Sequence, residues 1–196
     1  MATSLQVQMI DRLRHAWSSG IVNGTPSFVE SLISVFHFQR PIQYDEEVKW
    51  YKARSEALSI YGSMLSRQFP DEIESEMRMM FLSSLLHTVK IECWRLQTSA
   101  EPPFPRIAEE QNEKLLLQCS SLVMVIFTQH PGIFDEDQME EPITEALSML
   151  SAVTQEAWGS HHQIHSIIRK ILKKLQAYRN KKTSKHLQNS SPMIID

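Results

Sequence analysis

Apolar residues recur along this chain at spacings of three and four, which is the pattern of helices with one buried side. Prolines, glycines and short polar runs separate seven such stretches. The apolar run 122–127 is short enough to be a buried strand, but no partner strand is visible elsewhere, so we interpret it as helix. The pattern predicts helices over about residues 4–18, 26–40, 45–68, 71–94, 107–129, 142–158 and 163–182.

Most of these stretches begin with residues that favour a helix N-terminus. Small polar side chains cap free N–H groups, proline suits the first helical position, and acids complement the helix dipole. The last stretch opens with a capping box, a serine followed three residues later by glutamine. The signals are Thr25 with Pro26, the acids at 45–47, Asp71, Pro142, and Ser160 with Gln163.

The predicted fold class is all-α, with about seven antiparallel helices in a stack or an irregular bundle. We expect residues 1–182 to form a single helical domain. Pro102, Pro103 and Pro105 disfavour helix and make 97–106 the best candidate for an internal boundary. The apolar periodicity disappears from residue 183, so 183–196 is predicted to be a disordered polar tail.

The composition is that of a globular intracellular protein. Of 196 residues, 42% are hydrophobic and 22% are charged, which is enough apolar material for a packed core. Cys93 and Cys119 lie in apolar runs and form no Cys-x-x-Cys pair, which indicates reduced, buried thiols. With no signal peptide and no apolar run of bilayer length, we expect a cytoplasmic or nuclear location and no membrane association.

Charge is distributed unevenly along the chain. The formal net charge is -3, yet residues 161–196 hold eight Lys and Arg against a single acid. Basic residues border the apolar side of the last predicted helix, and they are the candidate partner-binding residues. They are Arg169, Lys170, Lys173, Lys174, Arg179, Lys181 and Lys182.

Four interpretations of this basic helix remain open. The helix can simply pack its apolar side while its lysines stay in water. Its lysines can contact the phosphates of a nucleic acid without sequence specificity, or the helix can bind an acidic protein. The cluster is also typical of a nuclear import signal.

No motif in the sequence indicates catalysis. The phosphate-binding glycine motifs, His-Glu-x-x-His and Gly-x-Ser-x-Gly are all missing, and the chain has only five glycines. We therefore predict a protein that is not an enzyme and needs no cofactor.

Two groups of residues have spacing compatible with metal ligands. Glu110 and Glu113 share one side of a helix, and His161 and His165 are one turn apart, with His162 pointing elsewhere. Two histidine ligands are too few for a zinc site, so we interpret both groups as helix surface and predict no metal.

The large aromatic residues fall mostly on or beside the apolar stripes. This position is typical of core anchors, and a groove for a partner helix is the alternative. The residues concerned are Trp17, Trp50, Tyr51, Tyr61, Trp94 and Trp158.

Helix pairs that start at proline, as at Thr25-Pro26, Phe69-Pro70-Asp71 and Glu141-Pro142, resemble the armadillo-like and HEAT-like helical class over about residues 4–182. The resemblance implies a scaffold or adaptor that binds protein partners, as one subunit of a larger complex. The alternative is a nuclear factor that contacts nucleic acid through the basic last helix.

Overall fold

The computed structural model of the chain describes residues 2–22, 25–66, 71–99, 108–134, 139–159 and 162–189. Within these ranges the chain is helical and contains no strand, so the all-α prediction is confirmed, including helix at 122–127. The α-helices are α1 (Ala2–Ser18), α2 (Pro26–Ser34), α3 (Tyr44–Leu65), α4 (Asp71–Ser99), α5 (Glu109–Gln129), α6 (Glu140–Trp158) and α7 (Gln163–Asn189), with short 3-10 helices at Val35–His37 and Pro131–Phe134.

The helix ends follow most of the sequence signals. Pro26 occupies the first turn of α2, and the acids at 45–47 lie in the first turn of α3. Gly159 ends α6 with a φ of 79°, a conformation that glycine adopts without strain. Thr25 is the N-cap residue of α2, as predicted, but its hydroxyl contacts Ser27 Oγ and makes no capping bond to the backbone. Ser160 lies outside the described residues.

The helices are stacked in two layers. In one layer α1 packs on α3, α3 on α5 and α5 on α7; in the other α2 packs on α4 and α4 on α6. Contacts of α1 with α2, α4 with α5, and α6 with α7 join the layers. The stack or bundle that the sequence predicts is therefore present, while the armadillo-like likeness stays a prediction.

One continuous apolar core contains residues from all seven α-helices. Near its centre the ring of Tyr61 from α3 stacks on the ring of Phe81 from α4, with centroids 3.5 Å apart. The next residue of α3, Gly62, lies so close to α5 that an added Cβ would be 3.3 Å from Leu122. α3 therefore packs closely against both α4 and α5.

The last helix is longer than predicted. α7 continues to Asn189, so residues 183–189 are helical and the tail predicted from 183 is wrong over this part. The apolar periodicity does stop, but the segment keeps Lys, Leu and Gln, which sustain a helix, and its first proline comes only at 192. Residues 190–196 lie outside the described part, as does most of the candidate boundary at 97–106.

The two thiols lie deep in the core. Cys93 and Cys119 are both unpaired and fully buried. Burial, and then the nearby carboxylate of Glu92, raises the pKa of Cys93 to about 12 and holds the pKa of Cys119 well above its usual range. Both therefore stay protonated and shielded from reagents at neutral pH.

We expect a maleimide at pH 8 to label neither cysteine of the folded protein and to label both in urea, because the reactive thiolate is scarce and inaccessible in the fold. Ala152→Cys, on the exposed side of α6, is the control and should react in the folded protein. Mass spectrometry of the labelled chain gives the stoichiometry. Labelling of the folded wild-type chain as fast as that of the control would contradict the buried placement.

Candidate functional site

The basic residues of α7 lie mostly on its outer side. Ile164, Ile168, Ile171 and Leu175 are buried, and the helix packs on α5 and α6. Lys174 is half-buried at the edge of this contact. Four further cations are exposed, and helical spacing places them within an arc of about 120° around the helix axis. They are Arg169, Lys170, Lys173 and Lys181, and we call them the basic side of α7.

Besides the half-buried Lys174, two of the seven predicted residues are not part of this group. Arg179 forms an ion pair with Glu140 of α6, so it joins two helices. The side chain of Lys182 lies outside the described residues. Among the remaining four, Arg169 donates from Nε to the carbonyl of His165 one turn earlier.

Within the part of the chain that the structure describes, the cations of the basic side are not paired with acids. The sequence of α7 contains no acid over its whole length. In the described part of the chain, Lys170, Lys173 and Lys181 form no ion pair. Their charges are therefore hydrated and available to an anionic partner.

The histidines near the start of α7 have separate structural roles. His162 Nε2 lies 2.7 Å from a carboxylate oxygen of Glu113, and its Nδ1 accepts the N–H of Ile164 at 3.3 Å. His165 is buried, with its ring 3.4 Å from the hydroxyl of Thr154. Because these residues bridge α5, α6 and α7, the prediction that they are plain helix surface is wrong for His165 and incomplete for His162 and Glu113.

The described residues contain no group of three His, Cys, Asp or Glu side chains that could hold a metal ion. Glu110 is exposed, as predicted. His161 lies outside the described part of the chain.

A buried carboxylate forms the centre of a polar cluster that joins α3, α4 and α5. Glu92 of α4 is fully buried and accepts hydrogen bonds from Tyr51 at 2.6 Å, Arg54 at 2.9 Å, Arg95 at 2.5 Å and Asn112 at 3.0 Å. We call these five residues the Glu92 cluster. Burial, and then the Glu92 charge, holds the pKa of Tyr51 well above its usual range, so its hydroxyl stays protonated and donates.

Arg54 is the most enclosed cation of the Glu92 cluster. Its Nη2 donates to the carbonyl of Phe36 at 2.7 Å, and its guanidinium lies over the ring of Trp50 at 3.4 Å. Its Nε is buried and has no hydrogen-bond partner among the described residues. Burial is the main cause that lowers the pKa of Arg54, to about 10, and the residue remains charged at neutral pH.

The Glu92 cluster was not predicted from the sequence, because charged side chains are mostly exposed. One signal was present, since Arg54 follows Trp50 by four residues and precedes Ala57 by three, which is the spacing of the buried side of α3. A charged residue at such a position must find a buried partner, but nothing in the sequence identifies Glu92 as that partner.

A cleft of about 440 Å³ lies between the first 3-10 helix and α4. Arg54 and Glu92 form part of its wall, so the Glu92 cluster borders open space on this side. His37 and His87 are exposed at the cleft. The lining residues are Phe36, His37, Arg54, Ser84, His87, Thr88, Ile91 and Glu92.

Trp94 corrects the prediction that the large aromatic residues are core anchors. Trp17, Trp50, Tyr51 and Tyr61 are buried as predicted and Trp158 is half-buried, but Trp94 is 54% exposed. α4 packs on α2, α5 and α6, and the side that carries Trp94 is not covered by any of the described residues. A wide apolar stripe does not reveal which of its edges a neighbour will cover.

Trp94 continues the surface of the cleft along α4. Ser84, His87, Ile91 and Trp94 are spaced by three or four residues and share one side of the helix. Ile91 is half-buried, so it links the cleft to the exposed indole. We call the cleft together with Trp94 the α4 groove.

No protein-family model, curated protein or solved structure is significantly similar to this chain. Among the described helices, none combines the length and the apolar character needed to cross a bilayer.

We expect Glu92→Gln to lower the free energy of unfolding by about 3 kcal/mol, because it leaves two guanidinium groups without a buried counter-charge. Glu76→Gln, an exposed position on the same helix, should change it by less than about 0.5 kcal/mol. Urea unfolding at pH 7, followed by circular dichroism, measures both. Equal effects of the two substitutions would show that the Glu92 cluster does not stabilise the fold.

Proposed function

We propose that this protein is a non-catalytic helical scaffold that binds a segment of a protein partner in the α4 groove. The observation that carries the proposal is Trp94, a large aromatic side chain that is 54% exposed beside a cleft. Tryptophan is enriched among the residues that dominate binding energies at interfaces, especially where a pocket adjoins it.

The position of the α4 groove also favours binding. It lies on a long helix that is packed on three other helices, so its side chains are presented on a rigid support. Interfaces need such rigidity, because each side chain that becomes ordered on binding reduces the affinity. Stacked helices commonly provide extended binding surfaces of this kind.

The chemistry of the polar residues supports binding over catalysis. Glu92 accepts hydrogen bonds from four donors, so its carboxylate has a structural role and is not free to act as a base. Burial raises the pKa of Cys93 and Cys119, which makes them poor nucleophiles. His162 and His165 serve as links between helices.

The basic side of α7 favours a second candidate function, the contact of a nuclear factor with nucleic acid. Four exposed cations lie on one side of a helix that contains no acid. Such a surface attracts phosphates without reading their sequence. This function is compatible with a protein-binding scaffold, because the basic side and the α4 groove lie on different helices.

We expect Trp94→Ala to weaken the binding of the main protein partner by at least about 2 kcal/mol, or roughly thirtyfold in Kd, because it removes the exposed aromatic anchor. Leu5→Ala is the matched control, since Leu5 is 59% exposed on α1 in the other layer. Partners are captured from cells with the wild-type chain, and each one is then titrated against purified wild-type and variant proteins. Partners that bind all three proteins equally would contradict the groove assignment.

The second candidate function predicts salt-dependent binding to duplex or single-stranded nucleic acid. Replacing Arg169, Lys170, Lys173 and Lys181 by glutamine should abolish binding at physiological salt and reduce the slope of log affinity against log salt by about 0.9 per lost duplex contact. The control replaces four exposed cations elsewhere, Arg12, Lys49, Lys52 and Lys114. Fluorescence anisotropy of labelled oligonucleotides measures both. An absence of binding at low salt would exclude this function.

A further inference from the structure

The Glu92 cluster leaves an excess of positive charge at the α4 groove. Arg54 and Arg95 both donate to the single carboxylate of Glu92, so two cations face one anion. Arg40 and Lys90 do not add to this excess, because they form ion pairs with carboxylates of their own. An anion in the cleft would complete the charge balance.

The described residues that line the cleft offer donors and no free carboxylate. The oxygens of Glu92 are already occupied by four hydrogen bonds and lie out of contact with solvent. Arg54 Nε has no partner among the described residues but is itself out of contact with solvent, so the accessible donors are the imidazoles of His37 and His87, which are exposed at the cleft. A carboxylate would find these donors beside the charge of Arg54, while a lysine or arginine would lie beside a like charge and find no free carboxylate among the described lining residues.

The same surface becomes apolar along α4. Trp94 lies seven residues after His87, which corresponds to about 10.5 Å along the helix. A partner helix covers this distance between positions seven residues apart, and an extended segment covers it in about three residues. A short segment can therefore present an acidic and an apolar side chain to the groove together.

We infer that the α4 groove binds an acidic–apolar peptide segment, with a carboxylate side chain in the cleft between His37 and His87 and an apolar side chain against Trp94. The inference rests on the proposed function and adds the chemical class of the partner. It predicts that the affinity depends on the partner's acidic residues in a way that a purely apolar groove would not require.

A library of randomised short peptides displayed on phage provides a probe that presumes no partner. We expect selection on the wild-type chain to enrich peptides that combine Asp or Glu with large apolar residues. Glutamine in place of their acids should weaken binding to the wild-type chain at least about tenfold. Trp94→Ala should weaken binding of the acidic peptides and of their glutamine versions alike.

The variant His37→Glu/His87→Glu tests the carboxylate position directly. It should weaken the binding of the acidic peptides at least about tenfold and leave the affinity of their glutamine versions unchanged, because the new charges repel only an anion. The control Gln8→Glu/His15→Glu adds the same charge to exposed positions of α1 and should have no effect. Circular dichroism and urea unfolding confirm that each variant is folded.

The outcomes separate the inference from the proposed function. Peptides that depend on Trp94 but bind equally well with glutamine in place of their acids would overturn the inference and leave the scaffold proposal standing. A second outcome would overturn both the inference and the scaffold proposal. In it, acidic peptides bind the groove variants as tightly as the wild-type chain but no longer bind when the basic side of α7 is replaced by glutamine. A selection that enriches no peptide would also count against both.

Discussion

The carboxylate of Glu92 is buried among three helices, and placing an ion there costs several kcal/mol unless it is paired and hydrogen-bonded. Tyr51 and Arg54 from α3, Arg95 from α4 itself and Asn112 from α5 supply the compensating donors. These bonds form only when the three helices have one particular position along their axes relative to one another. The Glu92 cluster therefore sets the register of the central helices, which apolar packing alone leaves less tightly defined.

The α4 groove depends on the same interaction. Arg54 donates to Glu92 with one nitrogen and to the carbonyl of Phe36 with another, so it ties the first 3-10 helix to α4. The cleft lies between these two elements. The residues that stabilise the core thus also fix the width of the cleft and supply its positive charge, which links the stability of the fold to its proposed recognition of an anion.

The sequence predicted those features that depend on local chemistry and missed those that depend on which helices meet. Prolines, acids and apolar spacing located seven helices, because these signals act within one turn. Trp94 was misplaced because the apolar stripe of α4 is wide and only the packed structure shows that this edge is left open. Glu92 was missed because a buried ion is stable only through partners up to 41 residues away.

The two candidate surfaces respond differently to substitution. The α4 groove adjoins the Glu92 cluster, so substitutions deep in the groove, such as at Arg54, alter binding and stability together. The basic side of α7 is hydrated and unpaired within the described chain, so its charges can change without cost to the core. Substitutions can therefore change the charge of α7 with little effect on stability, whereas substitutions in the groove also act on the network that holds α3, α4 and α5 in register.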